Sequence, residues 1–270
     1  MFLGPHTHTA PNATANAATV DNVDNIDITD DITATPSLFY STQEFNDVTH
    51  DVKIDAIYNP LPHQVKAAFF KATHSRAFDL STMRTGKTGS TLLALEYLFR
   101  THRLSKALIL APLSCARAVW LESIAKTMPA RRVVVATGTK TQKTKALESD
   151  ADIIVTNYDT IPLILSELKA GKLELPTYTP ERADAAFCPD RAMPALVIDE
   201  LTHYASLNTQ RTKALFALQA AANFGWIWGL TGTPGHDPVK AFAMSKVINP
   251  QAVSVRSIYA WREITMYHYG

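Results

Sequence analysis

Residues 77–102 read "AFDLSTMRTGKTGSTLLALEYLFRTH", and the reading of the fold turns on the Gly-Lys-Thr at positions 86–88. A short apolar run, a polar turn, a lysine followed by a hydroxyl residue, and then apolar side chains at helical spacing is the order that a phosphate-binding loop requires. Backbone N–H groups of the turn would point inward at a phosphate, with Thr85 and Gly86 at the closest approach. Lys87 would meet the β and γ phosphates of a nucleotide, and Thr88 would ligate Mg²⁺. Position 81 is serine where the usual pattern has its first glycine. Two readings therefore stay open for this stretch alone: a phosphate loop, or an ordinary helix start that happens to contain Gly-Lys-Thr.

The chain around it is that of an ordinary globular protein. Its 270 residues carry 46% hydrophobic and 19% charged side chains with a net charge of +1, so any contact with nucleic acid has to rest on local geometry rather than on bulk basicity. Cys115 and Cys188 are the two cysteines, far apart and without ligand-like neighbours, which argues against a disulfide framework or a zinc site and for a reducing, cytosolic setting. No apolar run reaches the roughly 20 residues of a membrane span, and "MFLGPHTHTA" lacks the features of a signal peptide. A cytoplasmic protein that is neither secreted nor membrane-anchored is expected.

Residues 1–50 are rich in Thr, Asn, Asp and Ala and offer no apolar face, which predicts a disordered tail. Its "DNVDNIDITDD" lacks the glycine and closing glutamate of a calcium loop, and the "HTH" at His6 to His8 has no further ligand pattern. From Leu61 onward helix and strand alternate. Apolar runs in "KALILAP", "RRVVVATG", "DIIVTNY", "PALVIDE" and "FGWIWGLTG" read as buried strands, and "SCARAVWLESIAKTM", with Ser114 as its cap, and "NTQRTKALFALQAAA" read as helices. That pattern predicts one α/β domain over 51–270, a mostly parallel sheet with helices on both faces. Residues 171–194 carry four prolines and no clear period, and read as an irregular surface insertion. A second Gly-, Thr- and Lys-rich stretch, "ATGTKTQKTK" at 136–145, lacks the Gly-Lys-Thr order and reads as a solvated loop. Trp120, Trp226, Trp228 and Trp261 fall at strand and helix positions where a core role outweighs base stacking.

"PALVIDELTHY" strengthens the phosphate-loop reading. An apolar strand ending in Asp199-Glu200 puts two carboxylates at the carboxyl edge of the sheet, where open α/β sheets bind ligands. Asp199 would hold Mg²⁺ through water, while Glu200 would orient and deprotonate an attacking water, the division of labour that phosphoryl transfer to water needs. Pro112 to Ala116 and Asn157 to Thr160 lie at strand ends followed by helix starts. Pro112, Ser114, Asn157 and Tyr158 there could meet nucleic-acid phosphates without reading bases.

From Leu61 onward these segments in order resemble the first RecA-like lobe of the helicase-like ATPases of superfamily two, a P-loop NTPase fold. The likeness is to the Swi/Snf branch, in the compact version carried by bacteriophages, with "DELT" in the place of the DEAD/DEAH-like motif. "LPHQ" resembles the family's adenine-reading motif, which makes Gln64 the adenine contact. "LILAPLSCARAVWLESI" and "IIVTNYDTI" resemble the next two motifs, and "NTQRTKAL" resembles the segment after the acidic pair. "GLTGTP" resembles the motif that couples nucleotide to nucleic acid, through Thr231, Gly232 and Thr233. The resemblance implies ATP and Mg²⁺ as cofactors and double-stranded DNA, held by its backbone, as a partner. It also implies the cytosol of a bacterium or a phage-infected host.

The departures matter too. Arg84 stands where many relatives carry glycine, and Thr202 stands where histidine is common, with His203 one position later and no catalytic role expected for it. After "TGTP" only residues 235–270 remain, whereas a second lobe of ordinary domain size needs on the order of 150 residues. The family's arginine fingers come from that second lobe, and Arg262 is no substitute for them. Hydrolysis is therefore expected to need a second lobe in trans. Three readings of function stand: the ATP-binding lobe of a DNA-dependent ATPase, a nucleotide-sensing module that does not turn over, and a degenerate helicase fragment.

Overall fold

The computed structural model describes residues 45–46, 59–175, 192–234, 237–251, 253, 255 and 257–265. The expectations for most of the tail, with His6 to His8 and the Asp/Asn-rich run, and for the middle of the insertion, with Cys188, lie outside the described residues.

Among the described residues six strands form one all-parallel sheet in the order β1-β6-β5-β2-β4-β3. They are β1 (Arg76–Asp79), β2 (Leu104–Leu110), β3 (Val133–Ala136), β4 (Ile153–Thr156), β5 (Met193–Asp199) and β6 (Trp226–Leu230). The helices are α1 (Pro62–Thr73), α2 (Lys87–Arg100), α3 (Leu113–Cys115), α4 (Glu122–Thr127), α5 (Lys140–Leu147), α6 (Ile161–Lys169), α7 (Gln210–Ala222), α8 (Pro238–Ile248) and α9 (Ile258–Thr265). The α/β expectation holds.

Strand chemistry explains why both faces are covered. Successive side chains point to opposite sides, so a strand buried on both faces must be apolar throughout. Leu108, Leu110, Ile154, Leu196, Ile198 and Ile227 share a core with residues of α6, α7 and α8, among them Ile161, Ile164, Leu215, Leu218, Met244 and Val247. The intervening Ile109, Val155, Val197 and Trp228 are equally buried and face the other way, toward the layer that holds α1 and α2. Trp120, Trp226 and Trp228 are buried as expected, and the Trp228 indole donates to the His74 carbonyl at 3.1 Å.

Four expectations change. Lys140 to Lys145, in the stretch that reads as a solvated loop, lie in α5, whose first turn is capped by the Thr139 hydroxyl accepting from the Gln142 amide at 3.3 Å. Phe45, inside the stretch expected to lack any buried face, is helical, fully buried, and set 5.2 Å from the Phe69 ring and 4.7 Å from the Tyr97 ring. Its aromatic surface fills the seam between α1 and α2, which a lone Phe in a polar run does not advertise. Leu173 and Leu175, at the start of the expected surface insertion, are buried in the α6–α7 core. Ser114 is not the cap of its helix: Pro112 holds that position, its carbonyl accepting from Cys115 N at 2.9 Å and Ala116 N at 3.1 Å.

Register sets the carboxyl edge. Asp79 and Asp199 both stand opposite Leu230, one on each side. The loops that leave β1, β6 and β5 therefore start side by side, and the Thr231 amide donates to the Asp79 carbonyl at 3.0 Å.

Candidate nucleotide-binding site

The loop from Leu80 to Gly86 turns from β1 into α2. Gly86 takes the left-handed conformation, φ +84°, as the residue before the helix, and a methyl added there would lie 1.9 Å from Gln64 Nε2. Glycine is thus required twice, for the dihedral and for the close approach. Arg84 is also left-handed, φ +65°, a conformation that costs a non-glycine residue about 1–2 kcal/mol.

Gln64 bridges helix and loop. Its Oε1 accepts from the Leu61 amide at 3.0 Å, and its Nε2 donates to the Thr85 carbonyl at 3.1 Å, beside His63 Nε2 at 3.0 Å from the same oxygen. Lys87 reaches back over the loop, its ammonium donating to the carbonyls of Ser81 and Thr82 at 2.8 Å each. Thr88 occupies the first turn of α2, half-buried. Gln64, Thr85, Gly86, Lys87 and Thr88 are thereby gathered in one place.

The acidic pair stands two strands away. Glu200 is left-handed at φ +52°, a conformation that costs a non-glycine residue about 1–3 kcal/mol and that clusters at functional sites. Its Oε1 accepts from Thr202 at 2.6 Å and from Thr231 at 2.7 Å. Asp199 is held from several sides: the Trp120 indole donates to Oδ2 at 2.8 Å, the Glu200 amide to Oδ1 at 3.0 Å, and the Tyr158 hydroxyl to its carbonyl at 2.5 Å. Burial pushes the Asp199 carboxyl up from its ordinary value, opposed by the bonds from Trp120 and the Glu200 amide and by the charge of Lys87. Hydroxyl and carboxylate oxygens from Thr88 and Asp199 suit a hard cation that takes its other ligands from phosphate and water. Among the described residues, no three His, Cys, Asp or Glu side chains form a metal-binding cluster.

Thr231, Gly232 and Thr233 link the two halves. Thr231 bonds Glu200, the Thr233 amide donates to Thr231 Oγ1 at 3.2 Å, and a methyl at Gly232 would meet Met83 Cγ at 2.7 Å and Lys87 Nζ at 3.4 Å. Toward β2 and β4, Pro112, Ser114 and Asn157 are exposed or half-buried at the same sheet edge. Tyr158, expected to meet nucleic acid, does not present its side chain. It is 6% exposed, its hydroxyl is spent on Asp199, and Arg211 lies 5.3 Å above its ring. Burial, then the charge of Asp199, holds its phenol well above the ordinary range, so it stays protonated and donating. His203 is exposed against that ring, 4.8 Å away. Trp120 is a site residue that its apolar character conceals. It lies in a π-helical turn, Ala116–Leu121, a distortion that often marks functional sites.

The profile of the SNF2-related domain matches residues 81–265, from Ser81 in the loop to the end of α9. The chain belongs to the SNF2-related domain family. Among solved structures, this SNF2-related domain is similar to the Sulfolobus solfataricus SWI2/SNF2 ATPase core in complex with dsDNA, at 20% identity and a TM-score of 0.59 over 77% of this chain and 39% of that one. It is similar to the Sulfolobus solfataricus SWI2/SNF2 ATPase core domain, at 21% identity and 0.53 over 77% and 38%. The Pyrococcus furiosus Hef helicase domain matches at 20% and 0.51 over 69% and 35%. The SNF2-related domain thus spans well under half the length of each of these structures. No curated protein matches it. No helix among the described residues is long and apolar enough to cross a membrane.

Proposed function

We propose that this helicase-like ATPase lobe binds Mg²⁺-ATP and forms one wall of a DNA-dependent ATPase of the helicase or translocase type. The observation that carries the reading is the interlock at the carboxyl edge, where Thr231 bonds Glu200 while Gly232 approaches Lys87. Lys87 releases its two loop carbonyls and turns to the β and γ phosphates, and Gln64, fixed at Leu61 and Thr85, presents its edge to the adenine. Thr88 and Asp199 would hold Mg²⁺, which would neutralise charge on the phosphates when bound. Glu200 orients the attacking water and takes its proton. Thr231 senses the state of Glu200 and passes it along the sheet edge toward Pro112, Ser114 and Asn157, which meet the phosphates of duplex DNA. The Sulfolobus solfataricus SWI2/SNF2 ATPase core in complex with dsDNA supports that partner.

The described residues present one side of this site, and the γ phosphoryl needs positive charge on the other. Arginine fingers are worth about 10³ to 10⁵ in rate. The opposing wall comes from a second lobe, in trans to these 270 residues or joined to them in a longer protein. A phage or bacterial cytosol fits the compact motif set. The test is steady-state ATP hydrolysis with and without duplex DNA, for wild type and Lys87→Ala. Binding that Lys87→Ala weakens, with slow turnover that rises when a matching second lobe is added, supports the reading. Binding without any turnover even then would favour a nucleotide sensor, and no Lys87-dependent binding would end the proposal.

A further inference from the structure

Behind the phosphate loop lies a lysine that none of the motifs accounts for. Lys71, in the last turn of α1, is 2% exposed. Its ammonium donates to Asp79 Oδ2 at 2.6 Å and to Ser90 Oγ at 2.9 Å. Asp79 ends β1, and its other oxygen, Oδ1, accepts from the Ser81 amide at 3.2 Å and from the Ser81 hydroxyl. The Ser81 carbonyl accepts from Lys87 Nζ, and the Lys87 carbonyl accepts from Ser90 Oγ at 3.0 Å. The bonds close a ring, Lys71 to Asp79 to Ser81 to Lys87 to Ser90 and back to Lys71.

Stability is a poor reason for this ring. A buried ion pair gives up so much hydration that apolar residues of the same volume often stabilise a fold as well. A neutral amide at position 79 would not serve either, because it accepts on one side and must turn its NH₂ toward the donors on the other. The ring needs a carboxylate that accepts on both oxygens and a cation that locks it. It also explains Ser81: where the usual pattern has a glycine, this chain has a side chain that ties the start of the loop to the strand below. When Lys87 turns to phosphate, the Lys71, Asp79 and Ser81 bonds remain, and the loop keeps its shape through binding.

We propose that Lys71 is a positioning residue for phosphate binding, fixing the start of the loop through Asp79 and Ser81 and the first turn of α2 through Ser90. The proposal rests on the nucleotide-binding reading above. Lys71→Met leaves a buried carboxylate unpaired and endangers the fold, so the decisive variants are Ser81→Ala, at an exposed position, and Asp79→Asn. MgATP affinity is measured by calorimetry well below each melting temperature, with inorganic triphosphate as a second probe and Lys87→Ala as the control. Ser81→Ala and Asp79→Asn should each weaken MgATP by about tenfold, the worth of a hydrogen bond to a charged group. Triphosphate should lose as much, because the ring serves the phosphates and not the base, and Ser81→Thr, which keeps the hydroxyl, should recover most of the affinity. Wild-type affinity in folded Ser81→Ala and Asp79→Asn, whatever their melting temperatures, would overturn the proposal while leaving the site assignment intact. Equal affinity in wild type and Lys87→Ala would sink the nucleotide reading, and this proposal with it.

Discussion

On the function proposed above, Lys87 and Glu200 divide the work of the site, and their variants should fail differently. Lys87→Ala removes the cation that faces the phosphates and should weaken MgATP by about tenfold or more in calorimetry. Glu200→Gln keeps the shape and loses the base, so binding should stay near wild type while turnover in the presence of a second lobe falls by about 10² or more. Gly86→Ala tests the turn: a methyl 1.9 Å from Gln64 Nε2 must displace that side chain, and the dihedral adds about 1–2 kcal/mol of strain. The expected result is a lower melting temperature together with weaker discrimination of ATP from GTP. Asp79 gives a pH signature. Burial acts to raise its carboxyl, but the charge and hydrogen bond of Lys71, with those of Ser81, outweigh it and hold the folded value below the ordinary one. Folding then favours the ionised form, a contribution fully present above the unfolded carboxylate value of about 3.9 and lost as the pH falls through the folded value. Asp79→Asn should flatten the fall of melting temperature below about pH 4. At this scale the sequence exposes residues whose neighbours in the chain carry the message, such as Gly86-Lys87-Thr88 and Asp199-Glu200. It conceals Trp120 and Tyr158, whose partner is 79 and 41 positions away, because an indole or a phenol in an apolar run looks the same whether it meets a carboxylate or a leucine.

Elements were legible wherever periodicity was long. The central strands β2, β4, β5 and β6 could be read because they are buried on both faces and so nearly uninterrupted in apolar character, and α2 and α7 because their apolar residues recur at helical spacing. The helix after β2 was legible in its extent but not in its start or its π turn, since a proline carbonyl and one extra residue per turn leave no mark in composition. Phe45 escaped because a single aromatic makes no period. Its contact with Phe69 and Tyr97 implies that Phe45→Ala costs about 3–5 kcal/mol, visible as a marked drop in thermal midpoint. A truncation that stops short of position 45 and keeps this side chain should lack that loss. If the two behave alike, the aromatic seam between α1 and α2 contributes little.

At the scale of the molecule, parallel topology follows from the alternation of strands and helices, but the strand order β1-β6-β5-β2-β4-β3 does not, because nothing local tells β1 that its neighbour is the last strand. That pairing has a consequence for how the protein comes into being. Among the described residues β1 is bonded to β6 alone, and Arg76 reaches across to the carbonyls of Gly225 and Phe224, 149 and 148 positions later. During synthesis, therefore, the loop that would grip phosphate leaves the ribosome early, and the strand at its base stays without a sheet partner until residues 226–230 emerge. Nascent chains arrested before Trp226 should not be protected from protease by MgATP, whereas chains arrested well past Leu230 should be. The ligand would then act as a late checkpoint, stabilising only those chains that have already closed their sheet.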